Sequence, residues 1–379
     1  MVIELKVRPE VLGARLKSAR TLIKLTQDAA AQKMSMARTT IVAIEAGKRQ
    51  VSMNELRSFA DLYNVSESEL LSGNRQPLDI DAKFRSAGGE HGSEDEARVT
   101  LLLNRLATSM IEIEHLLGIS PSALNLPTVK IDRDLPLEQQ AEDAALFVRE
   151  WLAIGLGPIG DIIGLMENNL GFRVFERPLP NKVGGAVIVD EEHGCFILLN
   201  SLHPPSRRRL TGSHEICHPL LQLAGLTVLF EEGAFENRED KFCDMFARSF
   251  LMPAVAVRKK HVELKALSGV FNVRHLLMMA VYFSVSIEAM ARRLEALGLG
   301  PKGLANSIKE RGVGLRQLES VRQEMGGEPS ARSVTPHLML LAGAAYDRGL
   351  LSEQQIAKKL DLDIVDVRKM LSEISSFGE

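Results

Sequence analysis

From Thr211 to Gln222 the chain reads TGSHEICHPLLQ. On an α-helix successive residues turn by about 100°, so His214 and His218, four apart, return to within roughly 40° of each other on one face. Two imidazoles so placed can hold one metal ion. Glu215, next to the first of them, is placed to take a proton from metal-bound water as a general base. A catalytic zinc site takes three protein ligands and keeps a fourth position for water, so one more ligand must come from elsewhere. A chance match in a chain of this length is on the order of a one-in-a-hundred event, which leaves an ordinary helix as the competing reading until the context is weighed.

The context is a second helix, ENREDKFCDMFARSFLMP, which Pro253 closes within a few tens of residues. It offers Glu236, Glu239 and Asp240 as the third ligand. Asp240 and Asp244 share a face with Cys243 nearby, whereas Glu239 points about 100° away, and spacing alone does not choose among them. Acids also favour the first turn of any helix, which is the bland explanation for all three. Cys217, inside HEICH, reads first as a small buried hydrophobe and second as a thiolate near the metal. His203 and His261 read as structural or exposed histidines.

The elements around these residues follow from periodicity. AEDAALFVREWLAIG and IGDIIGLMENN read as helices, and FRVFERP, GGAVIVD and CFILLN as three short strands, with Asp-Glu-Glu-His-Gly as a hairpin turn between the last two. PSRRRLTGSHEICHPLLQLA resumes helix, with one proline near its start, where it is tolerated, and Pro219 just after His218, where it removes a backbone donor and favours a kink. VTLLLNRLATSMIEIEHLLGI, Val99 to Ile119, is an apolar amphipathic helix, either packed on the next domain or serving as a dimer seam. Beyond Pro253 the chain is helical to its end. Within it SEQQIAKKLDLDIVDVRKML scans as a helix-turn-helix, but Asp361, Asp363 and Asp366 would repel phosphate, so protein contact or dimerisation is expected there.

The 379 residues, 45% hydrophobic and 25% charged, suit a soluble globular protein of two or three domains. The run LLMMAVYFSV is shorter than the roughly 18 apolar residues that cross a bilayer, so no membrane partner is expected. The first residues lack a signal-peptide core and the three cysteines cannot form a disulfide framework, which makes the cytoplasm the expected compartment. The formal charge of −3 is unevenly spread. Residues 1–75 hold 12 basic and 8 acidic side chains, a net of +4, and the remainder 34 and 41, a net of −7. A basic head on an acidic body points to nucleic acid as the partner of the head.

That head contains about five short helices: LGARLKSARTLI, QDAAAQK with Thr26 as its N-cap, RTTIVAIEA stopped by Gly47, MNELRSFADLY, and SESELL after Ser66. Its centre, LTQDAAAQKMSMARTTIVAIEAGKR, resembles the Xre (Cro/phage-repressor-like) helix-turn-helix family, in Gln27, Ile41, Ile44, Glu45 and Gly47. The resemblance implies that Arg38, Thr39, Thr40 and Ala43 face base edges, that Lys48 and Arg49 meet phosphates, and that Gln27 belongs to the DNA-binding set. Ala37 stands where that family often has serine, and Ser35 is the alternative cap.

RRRLTGSHEICH followed by DKFCDMFARSFLMP resembles the ImmA/IrrE metallopeptidases. Arg207, Arg209, Thr211, His214, Glu215, His218, Cys243, Phe246, Ala247, Leu251, Met252 and Pro253 match, and flanking segments extend the likeness from about Ala141 to Leu299. It implies His214 and His218 as metal ligands, Glu215 as the base, and Asp240 as third ligand where the family has glutamate, with zinc the expected metal and manganese the alternative. Asp244 replaces an asparagine, and Pro219 is a departure. Glu239 and Glu236 remain open as substitutes.

The expected fold is therefore mainly α with a small β-sheet. A five-helix helix-turn-helix domain occupies residues 1–75, a linker 76–98, an α+β zincin-like metallopeptidase domain 99–262, and a helical C-terminal region 263–379. The expected function is a homodimeric regulator that binds a double-stranded DNA operator and carries a zinc-dependent metalloendopeptidase acting on a partner regulatory protein. The alternative is a non-enzymatic transcription factor or antitoxin whose degenerate peptidase-like domain senses metal, a ligand or a toxin partner.

Overall fold

The computed structural model describes residues 7–22, 25–63, 65, 67–71, 94–120, 124–190, 192–222, 225–230, 237–325 and 334–375. The chain divides into two units, Met1–Asn104 and Arg105–Glu379.

In the first unit, α1 (Pro9–Leu22), α2 (Gln27–Lys33), α3 (Arg38–Glu45), α4 (Met53–Tyr63) and α5 (Glu67–Leu71) close around Leu12, Leu16, Ile41, Ile44, Leu56 and Phe59. The Thr26 hydroxyl caps α2, accepting from the Ala29 N–H at 3.1 Å. Ser35 does not cap α3. It takes a left-handed conformation, φ 52°, in the turn after α2, and Ala37 is the N-cap without a side-chain bond. The chain must reverse within a few residues there, and the serine supplies the reversal rather than the cap. Gly13 lets α1 cross α3 closely, since a Cβ there would stand 2.3 Å from the Ile44 carbonyl oxygen. The expected cap Ser66 and residues 76–93 of the expected linker lie outside the described residues. The last five residues of that linker are already helix. α6 runs Glu94–Leu116, and its opening acids Glu94, Asp95 and Glu96 suit a helix N-terminus.

In the second unit the α6 face expected to form a dimer seam is covered by its own chain. Leu106, Ala107, Met110 and Ile113 are buried, and charged partners hold the helix: Glu114 with Arg173 at 2.9 Å, Glu112 with Lys359, Arg105 with Asp361. The last pair engages Asp361, one of the three aspartates expected to repel phosphate.

A four-stranded sheet forms the floor, in the order β1–β3–β2–β4, from β1 (Arg173–Arg177), β2 (Val183–Asp190), β3 (Gly194–Asn200) and β4 (Gly225–Phe230). β1 runs parallel to β3, and β2 is antiparallel to both β3 and β4. The β2–β3 hairpin closes at Asp190, whose Oδ1 accepts the N–H groups of Glu192 and His193. β4 was not expected. The expected helix ends with LLQLA, and the stretch from GLTVLF to the next helix reads as a loop rich in Gly and acid.

The helices of this unit are α7 (Leu137–Trp151), α8 (Ile162–Asn168), α9 (Pro205–Leu220), α10 (Arg238–Leu251), α11 (Ala254–Ser268), α12 (Val273–Tyr282), α13 (Ile287–Ala296), α14 (Leu304–Glu310), α15 (Leu315–Glu324), α16 (Pro336–Asp347), α17 (Glu353–Leu360) and α18 (Ile364–Ser375). α9 lies across β2 and β3, and α10 packs between α9 and α7. The hydrophobic core runs from Val129 to Val321 without a break at residue 262. Among the described residues no single helix is long and apolar enough to cross a membrane; α12 and α13 reach that composition only together, across a 105° bend.

Candidate metal centre and nucleic-acid interface

α9 begins on Pro205, which suits a first helical position, and its last ten residues, Thr211 to Leu220, are all buried. Pro219 falls in the final turn. It cannot return a hydrogen bond to the Glu215 carbonyl, and the helix stops at Leu220, so the proline ends the helix directly after the second histidine instead of kinking it midway.

The helix reaches the sheet through Gly185 on β2. A Cβ there would lie 2.8 Å from the Leu198 carbonyl oxygen, 2.9 Å from Thr211 Cγ2 and 3.4 Å from Glu215 Oε1. Only a residue without a side chain leaves room for Thr211 and Glu215 to rest on the strand.

On the face turned to α10, the rings of His214 and His218 lie 5.2 Å apart, centroid to centroid. Nε2 of His218 stands 3.8 Å from a Glu215 carboxylate oxygen and 3.9 Å from Asp240 Oδ1. Asn237 caps α10 and fixes that aspartate: its Oδ1 accepts the Asp240 N–H at 2.6 Å and its Nδ2 donates to Asp240 Oδ2 at 2.9 Å. The other oxygen, Oδ1, is left toward His218. One turn further along α10, the Cys243 thiol comes within reach as well, and the ligand atoms of His214, His218 and Cys243 all lie within 4.8 Å of one another.

α10 is held in place from α7. Arg149, buried, donates to the carbonyls of Gly155 at 2.7 Å, Gly157 and Phe250. Glu142 accepts the Ala254 N–H at 2.7 Å and pairs with Arg293.

The electrostatics are those of groups removed from water. Burial pushes His218 down to about 4 and His214 well below the ordinary imidazole range, the latter helped by His218. Both rings are neutral near pH 7, the form that offers a lone pair to a metal. Burial, and then the charge of Asp240, hold Glu215 well above the usual carboxylate range. Both Glu215 oxygens and both ring nitrogens of His218 are buried without a hydrogen-bond partner. Uncompensated polar atoms in a protein interior are costly. Such atoms beside a second buried imidazole fit a divalent cation, with His214, His218 and Asp240 or Cys243 as donors.

Among the acids, the structure brings Asp240 to His218 and leaves Glu239 exposed. Asp244 pairs with Arg248 at 2.7 Å, and Glu236 lies outside the described residues. While Cys217 is buried, in keeping with its first reading as a small hydrophobe, the thiol within reach of both histidines is Cys243. The usable signal was its spacing, one turn beyond Asp240 on the same face. His203 is a structural histidine: its Nε2 contacts the Asn181 carbonyl at 2.9 Å.

In the first unit, α3 buries Ile41, Ile44 and Glu45 and turns Arg38, Thr39 and Val42 outward, with Thr40 and Ala43 half-buried. Glu45 accepts both Nε and Nη2 of Arg20, at 2.5 and 3.0 Å, and Nε2 of Gln27 at 2.8 Å. Gln27 thus braces α2 against α3 from inside. Lys48 and Arg49 are exposed past the end of α3, although Arg49 also donates to Glu55 at 2.7 Å. Val42 is the exposed apolar residue on this face that the sequence reading passed over; a valine outward on such a helix can pack on a thymine methyl.

Two family models match the chain. Residues 11–72 match the helix-turn-helix domain, and residues 167–295 the IrrE N-terminal-like domain of peptidase family M78. No curated protein matches. Solved structures that align with the chain include Bacillus thuringiensis PlcR in complex with the peptide PapR7 and DNA, 13% identical over 97% of this chain and 95% of that one, with a TM-score of 0.17. ComR from Streptococcus suis aligns at 9% identity over 98% and 94%, also at 0.17. At that TM-score neither likeness bears on the fold or the function.

Proposed function

From a chain that joins a helix-turn-helix domain to an IrrE-like domain of peptidase family M78, we propose a cytoplasmic, dimeric, DNA-binding regulator whose second domain is a zinc-dependent metalloendopeptidase acting on a partner regulatory protein. The observation that carries the reading is the pair of buried imidazoles His214 and His218 on α9, with Asp240 Oδ1 of α10 3.9 Å from His218 and the Glu215 carboxylate buried beside them without a hydrogen-bond partner.

Zinc in such a site supplies Lewis-acid polarisation of a carbonyl and a lowered pKa for bound water. The chain does the rest. His214 and His218 offer neutral imidazoles, and Asp240, oriented by Asn237, offers a carboxylate oxygen. Glu215, whose burial a bound cation would offset in favour of the ionised form, is suited to take a proton at its carboxylate and return it to a leaving amine. In the first unit Arg38, Thr39, Thr40, Val42 and Ala43 face bases, and Lys48 and Arg49 meet phosphates. A dimer matches the paired half-sites that such domains read.

Cys243 favours a second reading. A thiolate together with two histidines and Asp240 would make four protein ligands, the closed set of structural zinc sites, and leave no position for water. The domain would then sense metal without cutting.

The metal content of the purified chain tests both. About one zinc per chain, lost in His218→Ala and Asp240→Ala and kept in Cys243→Ser, supports the peptidase. Loss in Cys243→Ser, with thiolate-to-metal charge transfer in the cobalt-substituted protein, supports the sensor. No metal after incubation with zinc or manganese sinks both. In cells, Glu215→Gln should keep the metal and abolish the regulatory output if cleavage is the function.

A further inference from the structure

The face of α6 expected as a dimer seam is filled by the chain's own residues, so a dimer needs another surface. α7 offers one half of it. Asp143, Phe147 and Trp151 recur every four residues, with Glu150 just before the last, and all four are exposed on one side of the helix. Phe147 is 49% and Trp151 41% exposed, and Trp151 is the single tryptophan of the chain. The helix holds four acids and one base, and that base, Arg149, is buried and bonded to backbone carbonyls. Its outer face is therefore aromatic and acidic.

α11 has the opposite character. Val255, Lys259, Val262 and Ala266 form its outer stripe, with Arg258 at the edge, and the two valines are 56% and 64% exposed. This helix holds four bases and one acid. The acid, Glu263, is already paired with Lys260 at 3.3 Å, which leaves Arg258 and Lys259 outward. α11 also starts against α7: Glu142 accepts the Ala254 N–H at 2.7 Å. Asp143 and Val255, the next residue along in each case, therefore lie close together where the two faces begin.

We propose that the outer faces of α7 and α11 pack against α11 and α7 of a second copy, forming a two-fold dimer through the second unit. The occupant is a second copy because the complement of each face stands on the same chain: acidic and aromatic on α7, basic and aliphatic on α11. A two-fold axis then sets acid against base twice over one self-complementary patch. Trp151, with Phe147 beside it, is the kind of large anchor that carries most of the energy of such contacts, and a cation from α11 over its ring adds to the attraction. The proposal rests on the dimeric reading above and gives it a surface; it asks nothing of the metal centre.

Sedimentation velocity of the full chain without DNA tests this. Wild type at about 50 μM should be a dimer. Two double variants, Asp143→Lys with Glu150→Lys and Arg258→Glu with Lys259→Glu, set like charges against each other at both contacts, and each should weaken the dimer by about tenfold or more. Mixed in equal amounts the two should recover a dimer, because acid again faces base at both contacts. Circular dichroism would establish that both are folded, as substitutions at exposed positions should leave them. In wild type alone, the emission of Trp151 should move to longer wavelength as dilution converts dimer to monomer. A monomeric wild type would overturn this proposal and the dimeric reading together. A wild-type dimer that both folded variants keep, that their mixture fails to restore, or whose dissociation leaves Trp151 emission unchanged would overturn the proposal and leave the dimeric reading standing.

Discussion

Tyr63 shows how burial acts at a single side chain. It is enclosed in the first unit, with a hydroxyl that finds no hydrogen-bond partner. An unsatisfied buried hydroxyl costs about 1–3 kcal/mol, so Tyr63→Phe should raise the stability of this unit by about 1 kcal/mol in calorimetric melting. Burial first, and then the charge of Glu45, push the phenol up to about 12. The folded state thus holds its proton more tightly than the unfolded chain, whose tyrosine titrates near 10. That contribution is complete below about pH 10 and is lost as the pH rises through about 12. Wild type should lose stability across that window, and Tyr63→Phe should lose less. Nearby, Glu45 answers both Arg20 and Gln27. Glu45→Ala strands a buried guanidinium and should cost about 3–5 kcal/mol, with loss of DNA binding as α3 loses its brace. A melting temperature within a degree of wild type would refute that role.

At the scale of elements, the candidate metal centre depends on how closely α9 approaches β2. The contact of Thr211 and Glu215 with Gly185 leaves no room for a methyl group, and two of the three obstructing atoms lie under 3.0 Å from where it would sit. Gly185→Ala should cost about 1–3 kcal/mol in denaturant titration and weaken metal binding, because the helix must lift from the strand to admit the group. If metal affinity is unchanged while stability falls, the strand supports the fold but not the site. α6 offers the converse lesson. An amphipathic pattern states that a face will be buried and leaves open what buries it; Arg173, Lys359 and Asp361, far along the chain, are what hold it here.

At the scale of the whole molecule, charge is segregated between a basic head and an acidic body. DNA affinity of the intact chain should therefore fall steeply with salt, as phosphate contacts release counterions. Lys48→Ala should weaken binding to all sequences alike and reduce the slope of log affinity against log salt by about 1. Thr39→Ala should leave the slope unchanged and relax preference at one base position, by about 1–3 kcal/mol. A Lys48→Ala variant that alters preference without altering slope would place that side chain at a base edge.

The sequence by itself determined what depends on neighbours along the chain. HEICH puts two imidazoles on one helical face because four residues make about one turn, and Thr26, Gly47 and Pro253 mark helix ends because capping and chain reversal are local. The helix-turn-helix head and the β2–β3 hairpin were legible for the same reason. Only the tertiary structure set which acid of α10 stands near His218. Glu239 and Asp240 are adjacent in sequence, and the choice rests on how α10 is rotated against α9 by Arg149, Glu142 and the Asn237 cap. The approach of Cys243 to the histidines, the covering of α6 and the pairing of β4 with β2 all join residues distant in the chain. No local periodicity encodes such pairings, because burial is shared between elements and belongs to neither alone.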